Sequence, residues 1–129
     1  MRIGLIGSGN MASALARGLG GPVVCSDVDP ARAQALADEL GGTAAGTNAE
    51  VVAASDLVIL CHKPAQLAAV AAELDAGDAI VVSLLGGVAL ADVRAAYPAS
   101  RAFRIMPNTA VAIRSGVVGL VDDDAGDQA

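Results

Sequence analysis

Aromatic residues are almost absent from this chain, which has one tyrosine, one phenylalanine and no tryptophan in 129 residues. Apolar residues nevertheless make up 54% of the sequence, and alanine supplies much of that share. Such a composition favours small, closely packed helices on a sheet of valine, isoleucine and leucine, as α/β layers allow. A chain of this length can bury that core as one domain.

Long apolar runs, basic clusters and metal-ligand clusters are also missing. No apolar run reaches the ~20 residues of a membrane span, and the N-terminus has neither a basic region nor a cleavage site, so we expect a cytoplasmic protein. Acidic residues outnumber basic ones by 14 to 8, which argues against a nucleic-acid surface. The single histidine, His62, makes a histidine-based metal cluster unexpected. We expect Cys25 and Cys61 to be buried small apolar residues that need no disulfide and no metal.

The first apolar run stops at Gly7, and a helical pattern starts near Asn10. Gly7, Gly9 and Ala12 occupy the three small positions of the G-x-G-x-x-[GA] dinucleotide pattern. Gly7 would make the tight turn out of the strand, and Gly9 has no Cβ to keep a pyrophosphate away from the backbone. The phosphates would lie on N–H groups at the positive end of the helix. The pattern predicts a dinucleotide-binding βαβ unit, and the alternative is a glycine-rich turn without a ligand.

Apolar runs of strand type alternate with helical patterns along the chain. The predicted strands cover residues 2–6, 23–25, 43–45, 57–61, 79–83, 101–105 and 117–121. The predicted helices cover residues 10–19, 30–40, 48–54, a segment from 64 that includes Leu74, and 89–97. Asp29 and Asn48 are the expected N-caps of the second and third helices. This alternation predicts an α/β fold, namely a Rossmann-type doubly wound, mostly parallel sheet with helices on both faces.

Polar residues directly follow several predicted strands, at the sheet edge where open α/β folds bind ligands. Asp27 could accept hydrogen bonds from ribose hydroxyls and would repel a 2′-phosphate, which favours NADH over NADPH. Ser26 and Arg32 could instead contact a phosphate. His62 and Lys63 would flank the adenosine or the pyrophosphate. The alternatives are that Asp27 merely ends a strand and that the loop of His62 and Lys63 is exposed without a role.

Four segments carry a resemblance to a known family: Gly7-Ser8-Gly9-Asn10-Met11-Ala12, Lys63-Pro64, Ser83 with Gly87, and Met106-Pro107-Asn108-Thr109. In this order and spacing they resemble the N-terminal half of pyrroline-5-carboxylate reductases, along essentially the whole chain. The resemblance implies reduction of the C=N bond of 1-pyrroline-5-carboxylate by hydride transfer from NAD(P)H, which gives proline.

The resemblance also implies a set of cofactor-binding residues. The turn at residues 6–11 would hold the pyrophosphate, and the segment at 84–86 would lie beside the nicotinamide half. Asn108 would help to frame the nicotinamide and the imino acid. The full set is Ile6, Gly7, Ser8, Gly9, Asn10, Met11, Ser26, Asp27, Asn48, Cys61, His62, Lys63, Pro64, Leu84, Leu85, Gly86 and Asn108. No catalytic residue and no metal ligand is assigned.

The chain departs from the family pattern at several positions. His62 stands where the family usually has an apolar residue, Leu84 and Leu85 replace smaller residues, and Ala110 replaces a proline. The family also has a helical second domain, which builds the dimer and supplies much of the substrate pocket, and nothing in this chain matches it. We therefore expect residues 1–121 to form a dinucleotide-binding domain and the acidic residues 122–129 to form a frayed tail.

We expect a chain that binds NAD(P)H through the glycine turn and leans towards NADH because of Asp27. Without the helical domain it should have little or no reductase activity alone. The imino-acid substrate would bind only if a helical domain completed the site, and a homo-oligomer is possible. Two alternatives stay open. One is a non-catalytic module that binds NAD(P), and the other is the cofactor domain of another imine or β-hydroxyacid reductase.

Overall fold

The structure, a computed structural model, describes residues 2–8, 10–19, 22–77, 79–106 and 119–121. These residues form a seven-stranded sheet of order β3-β2-β1-β4-β5-β6-β7. The strands are β1 Ile3–Ile6, β2 Val24–Ser26, β3 Thr43–Ala44, β4 Leu57–Leu60, β5 Ile80–Ser83, β6 Ala102–Met106 and β7 Gly119–Val121. Strands β1 to β6 run parallel, and β7 pairs antiparallel with β6. The predicted doubly wound, mostly parallel sheet is confirmed.

In the described part of the chain, five α-helices connect the strands: α1 Asn10–Leu19, α2 Pro30–Leu40, α3 Asn48–Ala53, α4 Leu67–Ala72 and α5 Leu90–Ala96. A 3₁₀ turn, Pro64–Gln66, precedes α4. The helix predicted from residue 64 is therefore shorter than expected and ends before Leu74. Within the described ranges, every helix is too short to cross a membrane.

The central strands are buried on both faces, and their side chains alternate between two apolar clusters. Leu5 of β1 and Ile59 of β4 pack with α1 and α2, whereas Ile6 and Leu60 point to the face covered by α3, α4 and α5. Burial on both faces explains why these strands are continuous apolar runs rather than alternating polar and apolar ones. The helices thus lie on both faces, as the alternation of patterns predicts.

The helix ends show where local sequence signals hold and where they do not. The Asp29 carboxylate accepts a hydrogen bond from the N–H of Ala31 (3.0 Å) and caps α2, as expected. Helix α3 is capped by the Thr47 hydroxyl, which accepts from the N–H of Glu50 (3.1 Å). The expected cap, Asn48, is instead the first residue of α3. Its side chain is therefore available for other partners.

Strand β1 is the point at which the order of the sheet reverses. It pairs with β2 on one side and with β4 on the other. The residues that follow β1, β2 and β4 consequently meet at one edge of the sheet, outside its carboxyl ends. Ligands of doubly wound sheets bind at such a switch point.

Candidate functional site

The turn that follows β1 leaves no room for a side chain at Gly7. Its φ is 96°, a left-handed value that side-chain-bearing residues rarely adopt. A Cβ there would come within 2.7 Å of the backbone of both Cys61 and His62. The N–H of Gly7 also donates to the carbonyl oxygen of Ser26 (2.9 Å). The turn therefore lies directly between the ends of β2 and β4.

Asp27 holds the glycine turn from the end of β2. Its Oδ2 accepts a hydrogen bond from the N–H of Ser8 (2.7 Å), and its Oδ1 accepts from the N–H of Asp29 (2.9 Å). The Ser8 hydroxyl donates to the Ser26 carbonyl (3.0 Å). With the Ser8 amide engaged in this way, the donors best suited to an anion are the first N–H groups of α1, which have no partner within the helix.

A chain of side-chain hydrogen bonds runs from β2 to the end of α4. Ser26, only 3% exposed, donates from its hydroxyl to Oδ1 of Asn48 (2.6 Å). Nδ2 of Asn48 in turn donates to Oε2 of Glu73 (3.0 Å). The Ser26 hydroxyl is thus directed at Asn48, and Asn48 has partners on both sides of its amide.

Nδ1 of His62 carries a proton. This nitrogen lies 2.9 Å from the carbonyl oxygen of Lys63, which can only accept a hydrogen bond. Burial lowers the pKa of His62, and the Lys63 carbonyl raises it to a smaller extent. Nε2 is buried and has no hydrogen-bond partner within the described residues.

Cys61 is not a nucleophile in this setting. Burial raises the pKa of its thiol to about 12, so the thiolate is not populated near neutral pH. Cys25 is buried in the apolar cluster beneath α1 and α2, and burial is also the main reason that its thiol pKa is raised. Both cysteines are free, as expected, although Cys61 as a residue remains partly exposed.

A cavity of about 470 Å³ lies at the carboxyl ends of β1, β2 and β4. The predicted site residues that line it are Ile6, Gly7, Asp27, Asn48, Cys61, His62, Lys63 and Pro64. A second cavity of about 460 Å³ is lined by Ser26, Asp27, Val28, Gly46, Thr47, Asn48, Ala49 and Glu73. The structure therefore brings together predicted residues from four separate stretches of the chain.

The segment that follows β5 does not line these two cavities. The Leu85 side chain is 2% exposed and packs in the apolar cluster that contains Leu90 and Val93. Leu84 packs against the opposite cluster, and Gly86 is exposed. The inward and outward alternation of β5 continues past its end and buries the Leu85 side chain, and contact of residues 84–86 with a cofactor stays a prediction.

Three of the predicted site residues cannot be placed in full. Gly9 and Asn108 lie outside the described residues, as does the side chain of Asn10. Met11 lies in the first turn of α1 and is half-buried. These residues remain predictions from the sequence and from the family resemblance.

The cavity walls also include residues that the sequence did not single out: Val28, Gln66, Ala69, Val70 and Glu73. Val28 is 88% exposed although it is apolar, and its position directly after Asp27 could have marked it as a ligand-facing residue. Glu73 follows α4 without any motif, so no local signal marks it.

Comparison with known proteins places this arrangement in a family. The family model described as NADP oxidoreductase, coenzyme F420-dependent, matches residues 2–87. Pyrroline-5-carboxylate reductase of Pseudomonas aeruginosa is 35% identical, over 92% of this chain and 47% of that protein. The crystal structure of 1-pyrroline-5-carboxylate reductase from Streptococcus pyogenes superposes with a TM-score of 0.80 at 28% identity, covering 94% of this chain and 48% of that one.

A third neighbour, pyrroline carboxylate reductase of Plasmodium falciparum with NADP bound, shares the fold with a TM-score of 0.73 at 18% identity, covering 98% of this chain and 51% of that one. This chain spans about half the length of the curated relatives that it matches. Its fold and the family match agree with the interpretation drawn from the sequence motifs. The chain belongs to the NADP oxidoreductase, coenzyme F420-dependent, family, and it is similar to the N-terminal half of pyrroline-5-carboxylate reductases.

Proposed function

We propose that this chain is the NAD(P)H-binding half of a pyrroline-5-carboxylate reductase. The observation that carries the proposal is the cavity of about 470 Å³ at the carboxyl ends of β1, β2 and β4. It collects Gly7 from the dinucleotide pattern, Asp27 from the end of β2, and Asn48 and Lys63 from the family resemblance. Residues from four separate stretches of the chain thus share one cavity.

The residues present fit a dinucleotide. Gly7 brings the backbone to the sheet edge where a Cβ has no space, and the positive end of α1 follows it. The cavity volume lies within the roughly 300–1,000 Å³ that is usual for ligand sites. Val28, Pro64 and Ala69 provide apolar surface in its wall, which suits the face of an adenine ring.

The carboxylate at the end of β2 favours NADH over NADPH, whereas Arg32 and Lys63 are the cations that line the same cavity. The Asp27 carboxylate would attract ribose hydroxyls and would repel a 2′-phosphate. Arg32 could neutralise such a phosphate, but its guanidinium Nε lies 4.0 Å from Oδ2 of Asp29 and already faces a carboxylate. The Ser26 hydroxyl is directed at Asn48 rather than at the solvent.

In the proposed reaction, bound NAD(P)H supplies the hydride that reduces the C=N bond. The residues of this chain bind and orient the cofactor through the start of α1, Asp27 and Asn48. Neither Cys61 nor His62, in the loop after β4, is suited to protonate the imine. The Cys61 thiol, with a pKa of about 12, is too weak an acid, and burial lowers the pKa of His62, which disfavours its protonated form.

We therefore expect the imino-acid pocket to need a helical domain like that of the family, which would also form the homo-oligomer. Residues 1–121 would act as the dinucleotide domain, and 122–129 as an acidic tail. Carboxylate neutralisation, ring orientation and exclusion of water would fall largely to the helical domain. The chain alone should bind the cofactor but turn over slowly or not at all.

Calorimetric titration of the purified chain with NADH and then NADPH tests the proposal. We expect both to bind and NADH to bind more tightly. Asn48→Ala, in the same cavity, should weaken NADH binding by about three- to tenfold, because a hydrogen bond contributes roughly 0.5–1.5 kcal/mol. A folded chain that binds neither dinucleotide would contradict the proposal.

A non-catalytic NAD(P)-binding module is distinguished by an activity measurement. The chain is mixed with a helical domain taken from a related reductase, and oxidation of NADH is followed in the presence of 1-pyrroline-5-carboxylate. Oxidation that depends on the imine supports the reductase assignment. Tight cofactor binding without any such oxidation would support the module.

A further inference from the structure

We propose that Glu73 is a specificity-determining residue of the dinucleotide site, because it orients the Asn48 amide for a ribose that carries no phosphate. This inference rests on the proposed function. Glu73 and Asn48 line both cavities at the sheet edge, together with Asp27. Glu73 is therefore part of the wall on which Asn48 would present its amide to a ligand.

The orientation of the Asn48 amide depends on Glu73 rather than on Ser26. The Ser26 hydroxyl can donate or accept, so it could pair with either end of the amide. An ionised carboxylate can only accept, so Glu73 requires Nδ2 on its side, at 3.0 Å. Oδ1 is then turned towards the Ser26 hydroxyl, which donates to it at 2.6 Å.

An amide held in this way matches a pair of ribose hydroxyls. After its bonds to Ser26 and Glu73, Asn48 keeps one N–H and one oxygen lone pair. Each ribose hydroxyl can both donate and accept, so a vicinal pair can use both groups. A 2′-phosphate only accepts hydrogen bonds, and it would also meet the negative charges of Asp27 and Glu73.

Binding constants for NADH and NADPH test this inference, with five variants compared against the wild-type chain. Glu73→Ala should weaken NADH binding by about three- to tenfold, since the amide loses the partner that sets its orientation. Glu73→Gln should fall between wild type and Glu73→Ala, because a neutral amide still bonds Asn48 without dictating which end faces it. Both substitutions remove the negative charge of Glu73, so the ratio of the NADH and NADPH dissociation constants should shift in favour of NADPH by about two- to fivefold.

A double-mutant cycle separates positioning from a general structural role. In an Asn48→Ala background, Glu73→Ala should have little further effect on NADH binding, because Glu73 acts through Asn48. Glu50→Gln is the matched control: Glu50 is also exposed and bonds the neighbouring loop at the N–H of Gly46 (3.0 Å), but it lines neither of the two cavities. It should bind both cofactors like wild type, and thermal unfolding should confirm that all variants are folded.

The outcomes separate this inference from the proposed function. If the wild-type chain binds no dinucleotide, the proposed function and the role of Glu73 are both contradicted. If the wild-type chain binds NADH but Glu73→Ala binds it equally well, only the role of Glu73 is overturned. That role is also overturned if Glu73→Ala weakens NADH binding just as much in the Asn48→Ala background, or if Glu73→Gln leaves the preference between NADH and NADPH unchanged.

Discussion

His62 is the only histidine of the sequence, so its titration can be read without ambiguity. Burial lowers its pKa below the ordinary 6.5, which means that the folded chain holds this proton less tightly than the unfolded chain. The contribution of His62 to stability is therefore fully present above pH 6.5 and declines as the pH falls towards the folded-state pKa.

An NMR titration of the His62 ring resonance should give a pKa below 6.5 in the folded chain. Urea unfolding at pH 7.5 and 5.5 should show lower stability at the acidic value. His62→Gln, which cannot titrate, should lose the part of that difference that belongs to the histidine. A measured pKa at or above 6.5 would contradict the burial seen around the ring.

At the scale of elements, Thr47 and Asn48 are neighbours at the start of α3, and either residue type can act as an N-cap. Thr47→Ala should lower the free energy of unfolding by about 1 kcal/mol, because the Thr47 hydroxyl accepts the N–H of Glu50. Asn48→Ala should leave the cap intact, but it removes the partner of the buried Ser26 hydroxyl and should also weaken cofactor binding. Urea denaturation of both variants, with cofactor titration alongside, checks this division. An equal loss of cofactor binding in both variants would count against it.

The helix ends also show how far local sequence reaches. Asp29 before proline was predicted as the start of α2, and the structure places a cap at Asp29 and a left-handed residue at Gly41, after the end of the helix. The prediction of Asn48 as a cap was wrong, because threonine and asparagine both favour the N-cap position and Thr47 and Asn48 are adjacent. The Asn48 side chain instead bonds Ser26 of β2 and Glu73 at the end of α4, which are distant in sequence, and Thr47 takes the cap.

At the scale of the whole molecule, cofactor binding should appear as added stability of the fold. The site is assembled from the ends of three strands, so the unfolded chain cannot form it. A dinucleotide at 100 times its dissociation constant should therefore raise the free energy of unfolding by about 2.7 kcal/mol. Thermal unfolding with increasing NADH checks this. An unchanged melting temperature at saturating NADH would show that the cofactor does not bind preferentially to the folded chain.

Local patterns in the sequence were enough to predict the doubly wound sheet, the glycine turn after β1, and that polar residues follow β2 and β4 at the edge of the sheet. The apolar runs of the strands and the position of Gly7 at the end of the first run are properties of neighbouring residues, so they can be recognised without a structure. The bonds from Asn48 to Ser26 and Glu73, and the burial of Leu85, could not be read in this way. They follow from the order of the strands and from side-chain packing, which bring together atoms that are far apart in the chain.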